Sequence, residues 1–88
     1  MMLDEIRKSL TPSTAVIFDE IREKERVTDK EIIMALIASG CSRKADRDVL
    51  RVQLCYLRKA LKDTGWNIRT FRRSSFRPHT SYALTYLL

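Results

Sequence analysis

Apolar side chains return every three or four positions over most of this chain and every second position near its end, so helices come first and strands last. Leu3, Ile6 and Leu10 mark a short N-terminal helix, with Asp4 and Glu5 early and Arg7 and Lys8 late, the order that complements a helix dipole. Thr11 followed by Pro12 gives the next start signal, an N-cap hydroxyl before a proline in the first turn, where its missing N–H costs nothing. That helix is expected over about residues 12–25, burying Ile17, Phe18 and Ile21 and pairing Glu20 with Lys24 on its outer side. Thr28 and Glu31 have capping-box spacing and open a second core helix. Its wide stripe of Ile32, Ile33, Leu36 and Ile37 predicts packing on more than one side, and Gly40 ends it. A polar, basic connection over residues 39–45 leads to Asp46, which can cap a third core helix stopped near Thr64 and Gly65. Period-two alternation then predicts strands over residues 67–71 and 82–88, the second with Tyr82, Leu84 and Tyr86 on one face. The expected fold is mainly α with a C-terminal β-hairpin.

The third core helix is the most informative element. At about 100° per residue, Leu50, Leu54, Leu57 and Leu61 fall in one narrow sector that must turn inward. The opposite side then carries Asp48, Arg51, Val52, Cys55, Tyr56, Lys59 and Lys62. An arginine can donate twice to guanine, a valine or tyrosine can touch a thymine methyl, and a lysine can neutralise a phosphate, so this mixture suits the major groove. The competing interpretation is a solvated helix face with incidental cations. Between the two strands lies Arg72-Arg73-Ser74-Ser75-Phe76-Arg77-Pro78-His79-Thr80-Ser81, with three arginines, no acid and one aromatic. Such a loop points to phosphate or minor-groove contact rather than to a plain hydrophilic turn. His79 has no Cys, Asp or second His near it in sequence and is expected to be solvated.

Charge placement strengthens this picture. The chain has 88 residues and a net charge of +6. Residues 1–31 hold six Lys/Arg against eight Asp/Glu, a net −2, whereas residues 32–88 hold eleven against three, a net +8. Solubility requires no such asymmetry, but a polyanionic partner does. A chain of this length makes one domain with a single core, too small for a core plus an enzyme cleft of ordinary size. It carries no nucleophile motif, glycine-rich phosphate loop, paired acids in a pocket-forming context or metal-ligand spacing, so neither an enzyme nor a cofactor is expected. Cys41 and Cys55, fourteen residues apart, support neither a zinc site nor a disulfide framework and read as free thiols. The longest apolar run, residues 32–38, is far below the roughly 20 residues that span a bilayer. With no secretory signal at the N-terminus either, the expected location is the cytoplasm.

With these elements in order, the chain from Leu10 onward resembles the winged-helix output domain of OmpR-type bacterial response regulators. The resemblance rests on Leu10-Thr11-Pro12, on Val27-Thr28-Asp29-Lys30-Glu31, on residues 52–61 in the third core helix, and on Ile68-Arg69-Thr70-Phe71-Arg72. It implies a winged helix-turn-helix whose third helix lies in the major groove while the hairpin wing reaches the adjacent minor groove. By motif position it implicates Arg51, Val52, Gln53, Tyr56, Arg58, Lys59 and the wing arginines, with Gln53 and Arg58 on the flanks of the helix where phosphate contact is more natural. Tyr82 occupies the place of the family's wing tyrosine. The departures are the sheet that precedes the family's first helix, for which about ten residues leave no room, the receiver domain, and the glycines of the wing turn. Phosphorylation control is therefore not carried over, and the wing should be larger.

The combined expectation is a small transcriptional regulator binding double-stranded DNA, with residues 1–10 as a helical extension and 11–88 as the winged-helix domain. The expected contact set is Arg43, Lys44, Arg47, Arg51, Val52, Gln53, Cys55, Tyr56, Arg58, Lys59, Arg72, Arg73 and Arg77. Leu3, Ile6 and Leu10 are the candidate surface for a homodimer. Two alternatives stand beside this: an interaction module contacting RNA polymerase or another regulator through Val52, Tyr56 and Phe76, and sequence-neutral DNA compaction.

Overall fold

The computed structural model describes residues 2–40, 46–76 and 78–86. Among these residues four helices, α1 (Leu3–Lys8), α2 (Pro12–Glu23), α3 (Asp29–Ala38) and α4 (Arg47–Leu61), pack with three strands, β1 (Val27–Thr28), β2 (Trp66–Phe71) and β3 (Ser81–Tyr86). The strands form one antiparallel sheet of order β1-β3-β2. The last strand is thus the central one. A helix-rich domain ending in a β-hairpin is what the periodicity predicts; β1 is the addition, and two residues are too few to display an alternation.

The helix boundaries follow from local chemistry. Thr28 accepts from the Glu31 amide at 3.2 Å while the Glu31 carboxylate accepts from the Thr28 amide, completing the capping box. Asp46 Oδ1 accepts from the Val49 amide at 3.0 Å and starts α4. After α3 the backbone turns at Gly40 with φ +76°, and after α4 at Asp63 (φ +66°) and Gly65 (φ +88°). The expected Glu20–Lys24 pair is present at 3.0 Å, and Lys24 reaches Glu31 at the same distance. These bonds, from Glu31 first, raise the Lys24 pKa, while Lys24 and then the Thr28 donors lower that of Glu31.

The core gathers Ile17, Phe18 and Ile21 of α2, Ile32 and Leu36 of α3, Leu50, Leu54, Leu57 and Leu61 of α4, Val27 of β1 and Ile68 of β2. All four leucines of the α4 seam are buried. The stripe on α3 is narrower than its sequence implies: Ile33 is partly buried, but Ile37 is 47% and Met34 61% exposed. Periodicity marks a wide apolar sector and leaves open how much of it neighbours cover. Helix α1 is also more integrated than an extension. Ile6 is 1% exposed, Leu3 and Leu10 pack against the core, Arg7 forms a two-bond pair with Asp19 at 2.8 and 2.9 Å, and Arg22 reaches Asp4 at 2.7 Å. Of the apolar residues expected to support a homodimer, Ile6 lies in the chain's own core and Leu3 and Leu10 are partly buried against it.

Candidate nucleic-acid interface

Burial of the leucine seam decides what α4 shows to solvent. Arg47, Asp48, Arg51, Val52, Cys55, Tyr56, Arg58, Lys59 and Lys62 are all exposed, with Val52 at 49% and Tyr56 at 55%. A side with two large apolar groups half open to water, set among cations, differs from an ordinary solvated helix face. Gln53 is the exception among the described residues of the expected contact set. It is half-buried, and its Oε1 accepts a 2.7 Å hydrogen bond from the Thr14 hydroxyl, which in turn accepts from Thr11 at 2.9 Å. Its side-chain oxygen is taken up in joining α4 to α2.

Arg58 is held from the other side. Its guanidinium donates to Thr70 Oγ1 at 2.6 Å, tying α4 to β2. Direct pairing of Thr70 with Tyr82 across the hairpin places both on the sheet face that carries Ile68. Between this face and α4 opens a cleft of about 500 Å³. Arg47, Arg51 and Arg58 contribute from the helix, Arg72 and Arg73 from the end of the hairpin, and Thr70, Thr80 and Tyr82 from the sheet side. Leu50 and Leu54 reach it from the core, and Asp29 is the one acid among its lining residues.

Asp29 is largely buried at the start of α3, where its Oδ1 accepts from the Lys30 amide at 2.7 Å and its Oδ2 stands 3.9 Å from Arg47 Nε. One carboxylate facing five guanidiniums leaves the cleft strongly cationic, a field that concentrates anions such as phosphate. Burial first, then the Asp29 charge, raise the Tyr82 phenol above its ordinary value of 10.0, while Arg58, Arg47 and Arg51 pull the other way. Tyr82 accordingly keeps its proton near neutral pH. It offers a hydroxyl donor from the sheet side.

The structure brings Arg47, Arg51, Arg58, Arg72 and Arg73 together around this cleft and leaves Val52, Cys55, Tyr56 and Lys59 on the exposed side of α4. Arg51 and Arg58 also line a second hollow of about 610 Å³ with Cys55, Lys59 and Lys62, against the turn at Gly65 and Trp66. Arg43, Lys44 and Arg77 lie outside the described residues, as does Cys41. Thr70, Thr80 and Tyr82 are absent from the sequence-derived contact set. Thr70 shares the strand parity of buried Ile68, a signal that could have found it. Arg26, just before β1, lies with its guanidinium 3.5 Å from the Phe71 ring centroid, a cation–π contact that supports the loop end of the hairpin.

Among the described residues, no three His, Cys, Asp or Glu side chains gather where they could hold a metal ion. No helix there is long and apolar enough to cross a membrane. Comparison of the chain with protein-family models, curated proteins and solved structures gives no match.

Proposed function

We propose that this chain is a winged-helix module that binds double-stranded DNA as a small transcriptional regulator, with α4 as the recognition helix and the β2–β3 hairpin as the wing. The observation that carries this reading is the pairing of a buried leucine seam on α4 with an outward Arg51, Val52, Tyr56 and Lys59 face, beside a cleft lined by five arginines. In this arrangement Arg51 and the neighbouring apolar side chains meet base edges, while Arg47, Arg58, Arg72 and Arg73 take phosphates. Gln53 and Thr14 fix the pitch of the helix, and Arg58 with Thr70 fixes its distance from the wing. A single module of this size buries only about 600 to 1,000 Å² on DNA, so useful specificity calls for two modules on one site or a partner protein.

Duplexes selected from a random pool and titrated by fluorescence anisotropy test the proposal. Binding should weaken steeply and linearly in log salt, as expected when several phosphates displace counterions. Absence of duplex affinity at low ionic strength would sink the reading. The second reading, an interaction module for RNA polymerase or another regulator, draws on the half-exposed Val52 and Tyr56. A contact with an apolar centre would show a much shallower salt response.

A further inference from the structure

The connection between β2 and β3 holds Phe76, whose side chain is 94% exposed and has no place in the core cluster. It follows Arg72 and Arg73, which face the cationic cleft, and two small residues, Ser74 and Ser75. The other exposed large apolar side chains among the described residues lie on other elements: Met34 and Ile37 on α3, Val52 and Tyr56 on α4, and Met2 before α1. Tyr86 stands at the opposite end of the hairpin, packed edge-on against Trp66 at 4.9 Å between ring centroids. Phe76 lines a hollow of about 270 Å³ with Arg26, Thr28, Pro78, His79 and Ser81, which holds no second large apolar side chain, so among the described residues it does not extend a continuous apolar patch of the kind a protein partner covers. A lone flat ring on a cationic loop instead matches a narrow apolar slot bordered by negative charge. The gap between two stacked base pairs, with phosphates on either side, is such a slot.

We propose that Phe76 is a wedge that enters the minor groove of bound duplex, partly unstacks one base step and bends the DNA, with Arg72 and Arg73 neutralising the phosphates beside it. The inference rests on the duplex-binding reading above and adds to it a second source of selectivity. Opening a step is easiest at flexible pyrimidine–purine steps, so the wing would favour sites by deformability at positions that α4 does not touch. The small side chains of Ser74 and Ser75 let the loop backbone approach the groove.

The test uses the full chain and a duplex selected for wild-type binding, labelled with a fluorophore pair at its ends and with 2-aminopurine placed at successive positions in turn. The wild type should raise 2-aminopurine emission several-fold at one step and shorten the end-to-end distance as a bend of about 20 to 90° requires. Phe76→Ala should lose both signals and retain the salt slope, whereas Phe76→Leu should keep part of each. An unchanged thermal melt of Phe76→Ala shows that the fold is intact. Wild-type binding without unstacking or bending, or equal bending by Phe76→Ala, overturns the wedge and leaves the duplex reading standing. Failure of the wild type to bind any duplex overturns both.

Discussion

A methyl group added at Gly65 would stand 2.8 Å from Cε2 of Tyr86, on a backbone with φ +88°. Gly65→Ala should destabilise the protein by about 1 to 2 kcal/mol, the usual penalty of a left-handed residue with a side chain, measured as a lower urea midpoint at unchanged slope. Arg51 lies outside the leucine seam, so its removal should leave folding alone. Arg51→Ala should weaken binding to a selected duplex by about 1 to 3 kcal/mol and relax preference at one base pair in an anisotropy titration. The outward position of Arg51 is legible from helical phase alone, because four leucines at fixed spacing define which side is inside. Gln53 is less legible. Its phase puts it at the margin of the seam, and only the arrival of Thr14 from α2, at 2.7 Å, assigns its side-chain oxygen to the fold.

At the element scale, the short-range signals of α3 and α4 carry through, whereas the Thr11 hydroxyl expected to cap α2 makes no capping bond and donates to Thr14 instead. The starts of α3 and α4 are written in Thr28, Glu31 and Asp46, whose side chains act within three residues of themselves. Strand β1 leaves no such mark: Val27 and Thr28 become a strand only by pairing with Tyr82 and Ser81. The Lys24 pair first, and the Thr28 donors of the α3 cap after it, give Glu31 a pH response. Glu31 has a lower pKa folded than its ordinary 4.5, so the unfolded chain binds more protons in that range and stability rises with pH there. The contribution is full above the ordinary value and disappears as pH falls through the folded one. Glu31→Gln, which can keep the capping geometry, should flatten the acid limb of a thermal-stability profile below about pH 4.5. If the β2–β3 hairpin acts as the proposed wing, the Arg72→Ala, Arg73→Ala double variant should weaken binding to all duplexes alike and reduce the salt slope by about one unit per arginine.

On the scale of the whole molecule, the two ion pairs and the buried Ile6 join α1 to α2 as part of one core. Deleting residues 1–10 should therefore lower the urea midpoint, since burying an isoleucine alone contributes about 1.5 to 3 kcal/mol, and should leave the sedimentation behaviour of the folded fraction unchanged. That outcome would place any pairing of modules elsewhere than on α1. The charge asymmetry between the two parts of the sequence anticipated a cationic surface. It did not show that Arg47, Arg51, Arg58, Arg72 and Arg73 converge on one cleft, which depends on the β2–β3 register and on α4 lying against β2. The position of β3 in the sheet has a consequence for synthesis. Because residues 81–86 lie between both other strands, a nascent chain on the ribosome lacks the middle of its sheet until that segment has emerged, and neither the cleft nor a rigid hairpin exists before then. Products that stop short of residue 81 would thus carry the basic α4 without the sheet that completes the cleft beside it, so the cleft would form in one step, when β3 pairs with both neighbours.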